Sequence, residues 1–153
     1  MLDGIDGRCS HGRRPFSFER EQKGERENMI WLGRIAVALV GLFSLAMGLM
    51  AFASPVQLGE ALGLGALSPF GANSLRADLG AFFLASGLAS LLALFAGGAQ
   101  WMWGVAVLYG LAVIGRVLGV VLEGVPEGVA QAIVVELVLV ALSVIGAKAL
   151  ARG

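Results

Sequence analysis

The chain of 153 residues has a hydrophobic content of 58%, a charged content of 14% and a mean hydropathy of +0.83, values typical of integral membrane proteins rather than soluble domains. Its formal net charge of +0 excludes the basic surface that nucleic-acid binding needs, so no nucleic-acid partner is expected. The single cysteine, Cys9, and the single histidine, His11, exclude an intramolecular disulfide and argue against a metal or haem site, so no metal and no cofactor are expected.

Residues 1–28 form a polar segment that differs from the rest of the chain. They hold six basic and six acidic residues out of 11 of each in the whole sequence, and they lack apolar periodicity. We predict a disordered cytoplasmic tail. A helix between Glu19 and Glu27 is the alternative, because charges recur there at helical spacing. The apolar region begins at Met29, so an alternative interpretation is that Met29 is the true start and that residues 1–28 are an artefact of start-site choice.

The first transmembrane helix is predicted over about residues 31–53. Residues 35–53 are 19 consecutive uncharged positions, and at a rise of about 1.5 Å per residue they cover roughly the 30 Å hydrocarbon core. A cleaved signal peptide is the rival interpretation, since residues 51–53 read Ala-Phe-Ala. The apolar run is longer than the roughly 7 to 15 residues of a signal peptide, which favours a retained helix.

The second and third helices are predicted from one long uncharged run. No residue between positions 79 and 115 is charged, which is too long for a single crossing, and the glycines at 97–98 break the run. We predict a second helix over about residues 75–97, with Ser74 as its N-cap, and a third helix over about residues 101–122.

The fourth helix and the first connection complete the predicted fold. The turn at residues 123–128 contains proline and two glycines, and residues 129–150 supply the fourth helix. In the 54–73 connection, Ser54 followed by Pro55 predicts the start of a short interfacial helix. The fold class is therefore predicted as all-α, an integral membrane four-helix bundle with a short interfacial helix between helices 1 and 2.

The basic residues predict the orientation of the bundle. The N-terminal tail, Arg34, Lys148 and Arg152 place Lys and Arg at one end, whereas the 54–73 and 123–128 connections contain none. Because cytoplasmic loops are enriched in Lys and Arg, both termini are predicted to be cytoplasmic in a multi-pass protein of the cell inner membrane.

Four charged residues fall within the predicted helices: Arg76, Asp78, Arg116 and Glu136. A lone charge at such depth costs about 2.5 to 3.5 kcal/mol, and all four are predicted in the outer half of the bundle. Asp78 in a first helical turn would also gain from the helix dipole. We predict one buried, mutually neutralising cluster. A structural role, with the Arg116–Glu136 pair locking helix register, and a transport role both stay open.

Small residues recur along the predicted helix faces and indicate close helix packing. The positions predicted to pack are Gly41, Ser44, Gly48, Gly80, Gly87, Gly115 and Gly119. For the Gly115-x-x-x-Gly119 motif, packing within the monomer is favoured over homodimerisation.

Several short segments carry a family resemblance: Ser54-Pro55, Leu75-Arg76-Ala77-Asp78-Leu79-Gly80, Gly115-Arg116, Glu123-Gly124 and Glu136. With these segments, about residues 30–152 resemble a bacterial family known only as domain of unknown function 4345, whose members are four-helix membrane proteins. The resemblance implies a shared fold and a recurring buried set that corresponds to Arg76, Arg116 and Glu136. It implies no activity.

The expected function follows from what the membrane region lacks. Residues 29–153 contain no histidine and no cysteine, and no serine is recognisably paired with a base, so no enzyme is expected. We expect a non-enzymatic accessory subunit of a membrane complex or a lipid-associated factor. The alternative is a small proton-coupled transporter that uses the buried charges. The expected partners are the lipid bilayer and a larger membrane-protein complex or further copies of the chain.

Overall fold

A computed structural model describes the backbone of residues 16–152 and the side chains of residues 24–152. The described residues are helical and contain no strand. The helices are α1 (Phe16–Ala53), α2 (Pro55–Ala61), α3 (Pro69–Leu75), α4 (Ala81–Phe95), α5 (Ala99–Glu123) and α6 (Val129–Leu150). A π turn, Arg76–Gly80, joins α3 and α4 into one continuous helix.

Four segments are long and apolar enough to cross a membrane, as expected of a multi-pass membrane protein. They are Gly24–Ala53, Pro69–Phe95, Ala99–Glu123 and Val129–Leu150. The predicted all-helical class with four spanning helices is confirmed. The predicted and observed helix ends agree closely except at the starts of the first and second helices.

The first helix begins much earlier than the apolar region. Its first residue is Phe16, so residues 16–28 are helical rather than disordered, in agreement with the alternative prediction for Glu19–Glu27. Extending an existing helix costs less than nucleating one, which allows a polar segment to continue the spanning helix. Residues 1–15, with Cys9 and His11, lie outside the described part of the chain.

The start of the second spanning helix corrects the predicted cap. Ser74 lies inside α3, and the N-cap is Ser68, whose Oγ accepts a hydrogen bond of 3.1 Å from the backbone N–H of Gly71. Pro69 occupies the first helical position, where its missing N–H costs nothing. Ser54 and Pro55 begin α2 in the same way, as predicted, although the Ser54 side chain makes no capping hydrogen bond.

The helices pack in the cyclic order α1, α4, α5, α6, with each helix antiparallel to its neighbours. Glycines on α1, α4 and the π turn bring α1 and α4 into close contact, because an added Cβ would lie within 3.0 Å of the facing side chain. The facing pairs are Gly41 with Ser90, Gly87 with Leu45, Gly48 with Leu84 and Gly80 with Phe52. On the other side of α1, Gly33 contacts Ala149 and Gly146 contacts Val37. Gly33 belongs to the small-residue stripe predicted as the packing surface of the first helix, whereas Gly146 was not among the predicted packing positions.

The prediction that Gly115 and Gly119 pack against other helices within the monomer is wrong. An added Cβ at either position would meet no heavy atom of the described residues within 4 Å. Both glycines lie on α5, where the buried face is formed instead by residues such as Met102, Val105 and Tyr109. A spacing of four residues between glycines does not specify which face of a helix meets its neighbours.

The two ends of the bundle are packed differently. We call the end that holds α2 and the α5–α6 loop the α2 end. The opposite end, with the α4–α5 turn, contains most of the main apolar core, whose buried members are Val37, Val40, Ala93, Met102, Val105, Tyr109, Leu139 and Ala147. At the α2 end a smaller cluster of Ala51, Leu58 and Leu75 joins α1, α2 and α3. A cavity lies between these two clusters, lined by side chains that pack on them, such as Phe83 and Met47.

Candidate binding cavity

Arg116 on α5 and Glu136 on α6 form the one ion pair among the described side chains. The Arg116 Nε–H donates a hydrogen bond of 2.7 Å to Glu136 Oε1. The Glu136 side chain is 13% exposed and the Arg116 side chain 36% exposed. Glu136 is thus removed from solvent, and its charge is compensated by a partner that retains access to the cavity.

The pair leaves one carboxylate oxygen unused. Glu136 Oε2 is buried and accepts no hydrogen bond from any described residue. Because Arg116 contacts Glu136 through Nε alone, the pair is not the two-bonded arrangement that arginine and carboxylate often adopt. A buried acceptor without a donor is costly, and a donor from the cavity would satisfy Oε2 once the Glu136 carboxylate turned towards it.

A cavity of about 540 Å³ lies against this ion pair, between α1, α4, α5 and α6. Its mouth is at the α2 end, where residues 60–63, at and just after the C-terminus of α2, and the loop residues 126–128 line it. Its side towards the main core is formed by aromatic and aliphatic side chains: Phe43, Phe82, Phe83, Tyr109 and Leu139. The volume falls within the range of about 300 to 1,000 Å³ of small-molecule sites.

The aromatic side chains hold one another in edge-to-face contacts. Phe82 packs on Tyr109 with ring centroids 5.4 Å apart and on Phe83 at 5.2 Å. Ser44 Oγ donates to the Val40 carbonyl at 2.7 Å, so its bond of 2.7 Å with Tyr109 uses the tyrosine hydroxyl as donor. The Tyr109 hydroxyl is therefore engaged in the core, and the rings form a preformed apolar floor.

The mouth of the cavity is acidic. Glu60 on α2 and Glu127 in the α5–α6 loop line it, both exposed, and Gln131 adds an amide. With Glu136, three carboxylates and one guanidinium line the cavity. Among the described side chains, neither Glu60 nor Glu127 has an ion-pair partner. The cavity lining thus carries an excess of negative charge.

Arg76 and Asp78 do not belong to this site, which corrects the predicted cluster of four buried charges. Both residues are exposed, and neither lines the cavity. Arg76 Nε donates instead to the Phe52 carbonyl at 3.2 Å, close to the C-terminus of α1, where carbonyls have no intrahelical partner. The helix begins at Pro69 rather than near residue 75, so Asp78 lies beyond the first turn and loses the predicted dipole contact.

A model of the family described as "Domain of unknown function (DUF4345)" matches residues 32–147. The chain belongs to this family. The matched range contains every residue that lines the cavity. No curated protein and no solved structure matches the chain. The family match confirms the resemblance seen in the sequence and brings no activity with it.

The sequence predicted the Arg116–Glu136 pair that lines the cavity, but most of the other lining residues were not predicted. Tyr109 precedes Arg116 by seven residues, or two helical turns, so it shares the Arg116 face, a signal that was available. Glu60 and Glu127 are acids in the two connections that a four-helix topology places at one end. Within the described residues no group of three metal-ligating side chains is present.

Proposed function

We propose that this DUF4345 chain is a non-enzymatic membrane protein that holds a small molecule with an apolar body in the α2-end cavity. The observation that carries the proposal is a cavity of about 540 Å³ with an aromatic floor and a buried carboxylate oxygen that has no donor among the described residues. Such a combination of apolar surface and few convergent polar groups is typical of binding sites. It favours the lipid-associated factor over the accessory subunit.

The test of binding fills the cavity. Ala132 lines the cavity on α6, whereas Ala130, two residues earlier on the same helix, is exposed and does not line it. We expect the unmodified chain, purified in mild detergent, to retain a small molecule detectable by mass spectrometry after denaturation. Ala132→Phe should lose that molecule and Ala130→Phe should keep it. Equal retention by both variants, or none by the unmodified chain under several mild conditions, would contradict the proposal.

The proposed location is the cell inner membrane with both termini in the cytoplasm, so that the cavity opens towards the outer face. The distribution of Lys and Arg supports this orientation, because Arg34, Lys148 and Arg152 lie at the α4–α5 end. In a Cys9→Ser background, the Val125→Cys variant should react with a membrane-impermeant maleimide in bacterial spheroplasts. The Arg152→Cys variant should react only after the membrane is opened. The reverse pattern would contradict the orientation.

A second candidate is a small proton-coupled transporter, and Glu136 is the observation that favours it. A buried carboxylate in a membrane is a common proton carrier. The groups that face it are Arg116 on the neighbouring helix and, around the same cavity, Tyr109, Glu60 and Glu127. In proteoliposomes with a pH gradient, Glu136→Gln should abolish pH-dependent flux and leave the fold intact. Unchanged flux with reduced stability would contradict this candidate.

The accessory-subunit interpretation has weaker support. The outward faces of α5 and α6 expose large apolar side chains such as Ile114, Leu118 and Val138. A lipid bilayer covers such faces as well as a protein partner does. Co-purification in mild detergent, followed by identification of proteins at constant stoichiometry, tests this interpretation. A chain isolated repeatedly without a protein partner would contradict it.

A further inference from the structure

The charge of the cavity lining limits what the cavity can hold. We propose that its occupant is an organic cation, an amine joined to an apolar body, with the ammonium group at Glu136. This inference rests on the proposed binding function and adds the chemical class of the ligand. Among the described residues, the three carboxylates of Glu60, Glu127 and Glu136 line the cavity against the one guanidinium of Arg116.

The mouth selects by charge. Glu60 and Glu127 stand on opposite connections at the α2 end and are exposed. Acids at the entrance of a cavity with apolar walls raise the local concentration of cations and lower that of anions. Because both side chains are exposed, this preference should weaken as salt is added.

The interior selects by hydrogen bonding. Glu136 Oε1 accepts from Arg116 Nε at 2.7 Å, whereas Oε2 is buried and has no donor among the described residues. Oε2 has almost no accessible surface, so an ammonium N–H reaches it only after the Glu136 carboxylate turns towards the cavity, and the turn would give Oε2 the donor that it lacks. An anion at the same place would meet Glu136 directly and would leave Oε2 without a donor.

The floor selects for an apolar or aromatic body. Phe43 and Phe83 contact each other at a centroid distance of 6.4 Å, and both line the cavity. Ring faces also attract cations, so an amine that extends from Glu136 towards the floor meets a favourable surface. Tyr109 adds its ring without a free hydroxyl donor, because that hydroxyl is bonded to Ser44.

Three probes of nearly equal shape separate charge from size: 1-naphthylmethylammonium, 1-naphthylmethanol and 1-naphthoate. Binding is measured by equilibrium dialysis against the full chain in phosphatidylcholine nanodiscs, with empty nanodiscs as the background. We expect the amine to bind at least about tenfold more tightly than the alcohol, and the carboxylate to bind most weakly. Added phosphatidylethanolamine that competes with the amine would support the proposal and assign the amine to a lipid headgroup.

The variants locate the preference at the cavity. The double substitution Glu60→Gln with Glu127→Gln should reduce the preference for the amine over the alcohol by about threefold or more, because it removes the charge of the mouth. Both residues are exposed, so the variant is expected to fold. Glu123→Gln is the matched control, since Glu123 is an exposed acid at the same end that does not line the cavity. Glu136→Gln should weaken amine binding more than alcohol binding.

The possible results separate the binding function from the cationic class of the ligand. If none of the three probes binds above the empty nanodiscs, the proposed binding function fails. If the alcohol or the carboxylate binds as tightly as the amine, the cavity binds ligands but the inference of a cationic occupant is overturned. A preference for the amine that Glu123→Gln changes as much as the mouth variant does would also overturn it.

Discussion

Arg116 and Glu136 share one hydrogen bond of 2.7 Å, but they are unequally buried: the arginine side chain is 36% exposed and the glutamate 13%. Removal of one partner therefore has different consequences for the other. An arginine without its partner can extend into the cavity, whereas a glutamate without its partner stays enclosed.

We predict from this asymmetry that Arg116→Ala destabilises the protein more than Glu136→Ala does. Leaving a buried charge without its partner costs about 3 kcal/mol, and a partly exposed charge costs less. Thermal unfolding of the two variants and of the double variant, in the same detergent, gives the coupling between them. Equal losses from the two single variants would show that the difference in burial has no energetic consequence.

We predict that Gly48→Ala destabilises the bundle by about 1 to 3 kcal/mol. An added Cβ at Gly48 would lie 2.7 Å from Leu84 Cγ and 2.9 Å from the Leu84 backbone nitrogen, so helices α1 and α4 must separate. Gly115→Ala is the matched control, because a Cβ there would meet no heavy atom of residues 24–152 within 4 Å and alanine favours helix formation. Unfolding in detergent should show a lower melting temperature only for Gly48→Ala.

The two Ser-Pro helix starts provide a third prediction. Ser68→Ala should cost about 1 kcal/mol, because the Ser68 side chain accepts a hydrogen bond from the Gly71 N–H. Ser54→Ala should cost less, since Ser54 makes no such bond. Chemical denaturation of both variants measures the difference, and an equal or larger loss for Ser54→Ala would contradict the assigned caps.

Arg76→Gln should leave ligand binding at the cavity unchanged. The hydrogen bond that its side chain makes among the described residues, to the Phe52 carbonyl, is at an exposed position, so we expect a loss of stability of about 1 kcal/mol or less. The dialysis measurement with 1-naphthylmethylammonium checks binding, and thermal unfolding checks stability. Loss of binding with intact folding would show that Arg76 contributes to the binding site and would contradict the prediction.

Tyr109→Phe should cost about 1 kcal/mol through the lost hydrogen bond to Ser44. Ser44 keeps its bond to the Val40 carbonyl, so no buried donor is left without an acceptor. In a Ser44→Ala background the same substitution should cost much less, and thermal unfolding of the four proteins measures this coupling. Equal losses of stability from Tyr109→Phe in the two backgrounds would contradict the hydrogen bond between Tyr109 and Ser44.

The helices were predictable because their lengths and boundaries follow from the hydropathy of the chain. The meeting of Arg116 and Glu136 was also predictable, since both lie at the same depth on consecutive antiparallel helices. The position of Arg76 was not. It depends on the helix starting at Pro69 and on a π turn that changes the direction of the residues before it.

The cavity itself could not be predicted from the sequence. Its volume depends on how closely each pair of helices approaches, and the glycines that set those distances are not distinguished in the sequence from glycines that face outwards. Gly41 and Gly110 occupy similar apolar surroundings in the chain, yet of the two only Gly41 contacts a neighbouring helix among the described residues. The choice of face is a property of the folded bundle.

The π turn at Arg76–Gly80 is equivalent to one additional residue within an α-helix. Deleting one residue there would rotate α3 by about 100° relative to α4. Leu75 would leave its contacts with Ala51 and Leu58, while the glycine contacts of α4 below the turn would be retained. A single-residue insertion or deletion at this point would therefore move α3, together with α2 that packs against it and carries Glu60 at the mouth of the cavity, while keeping the same four-helix frame.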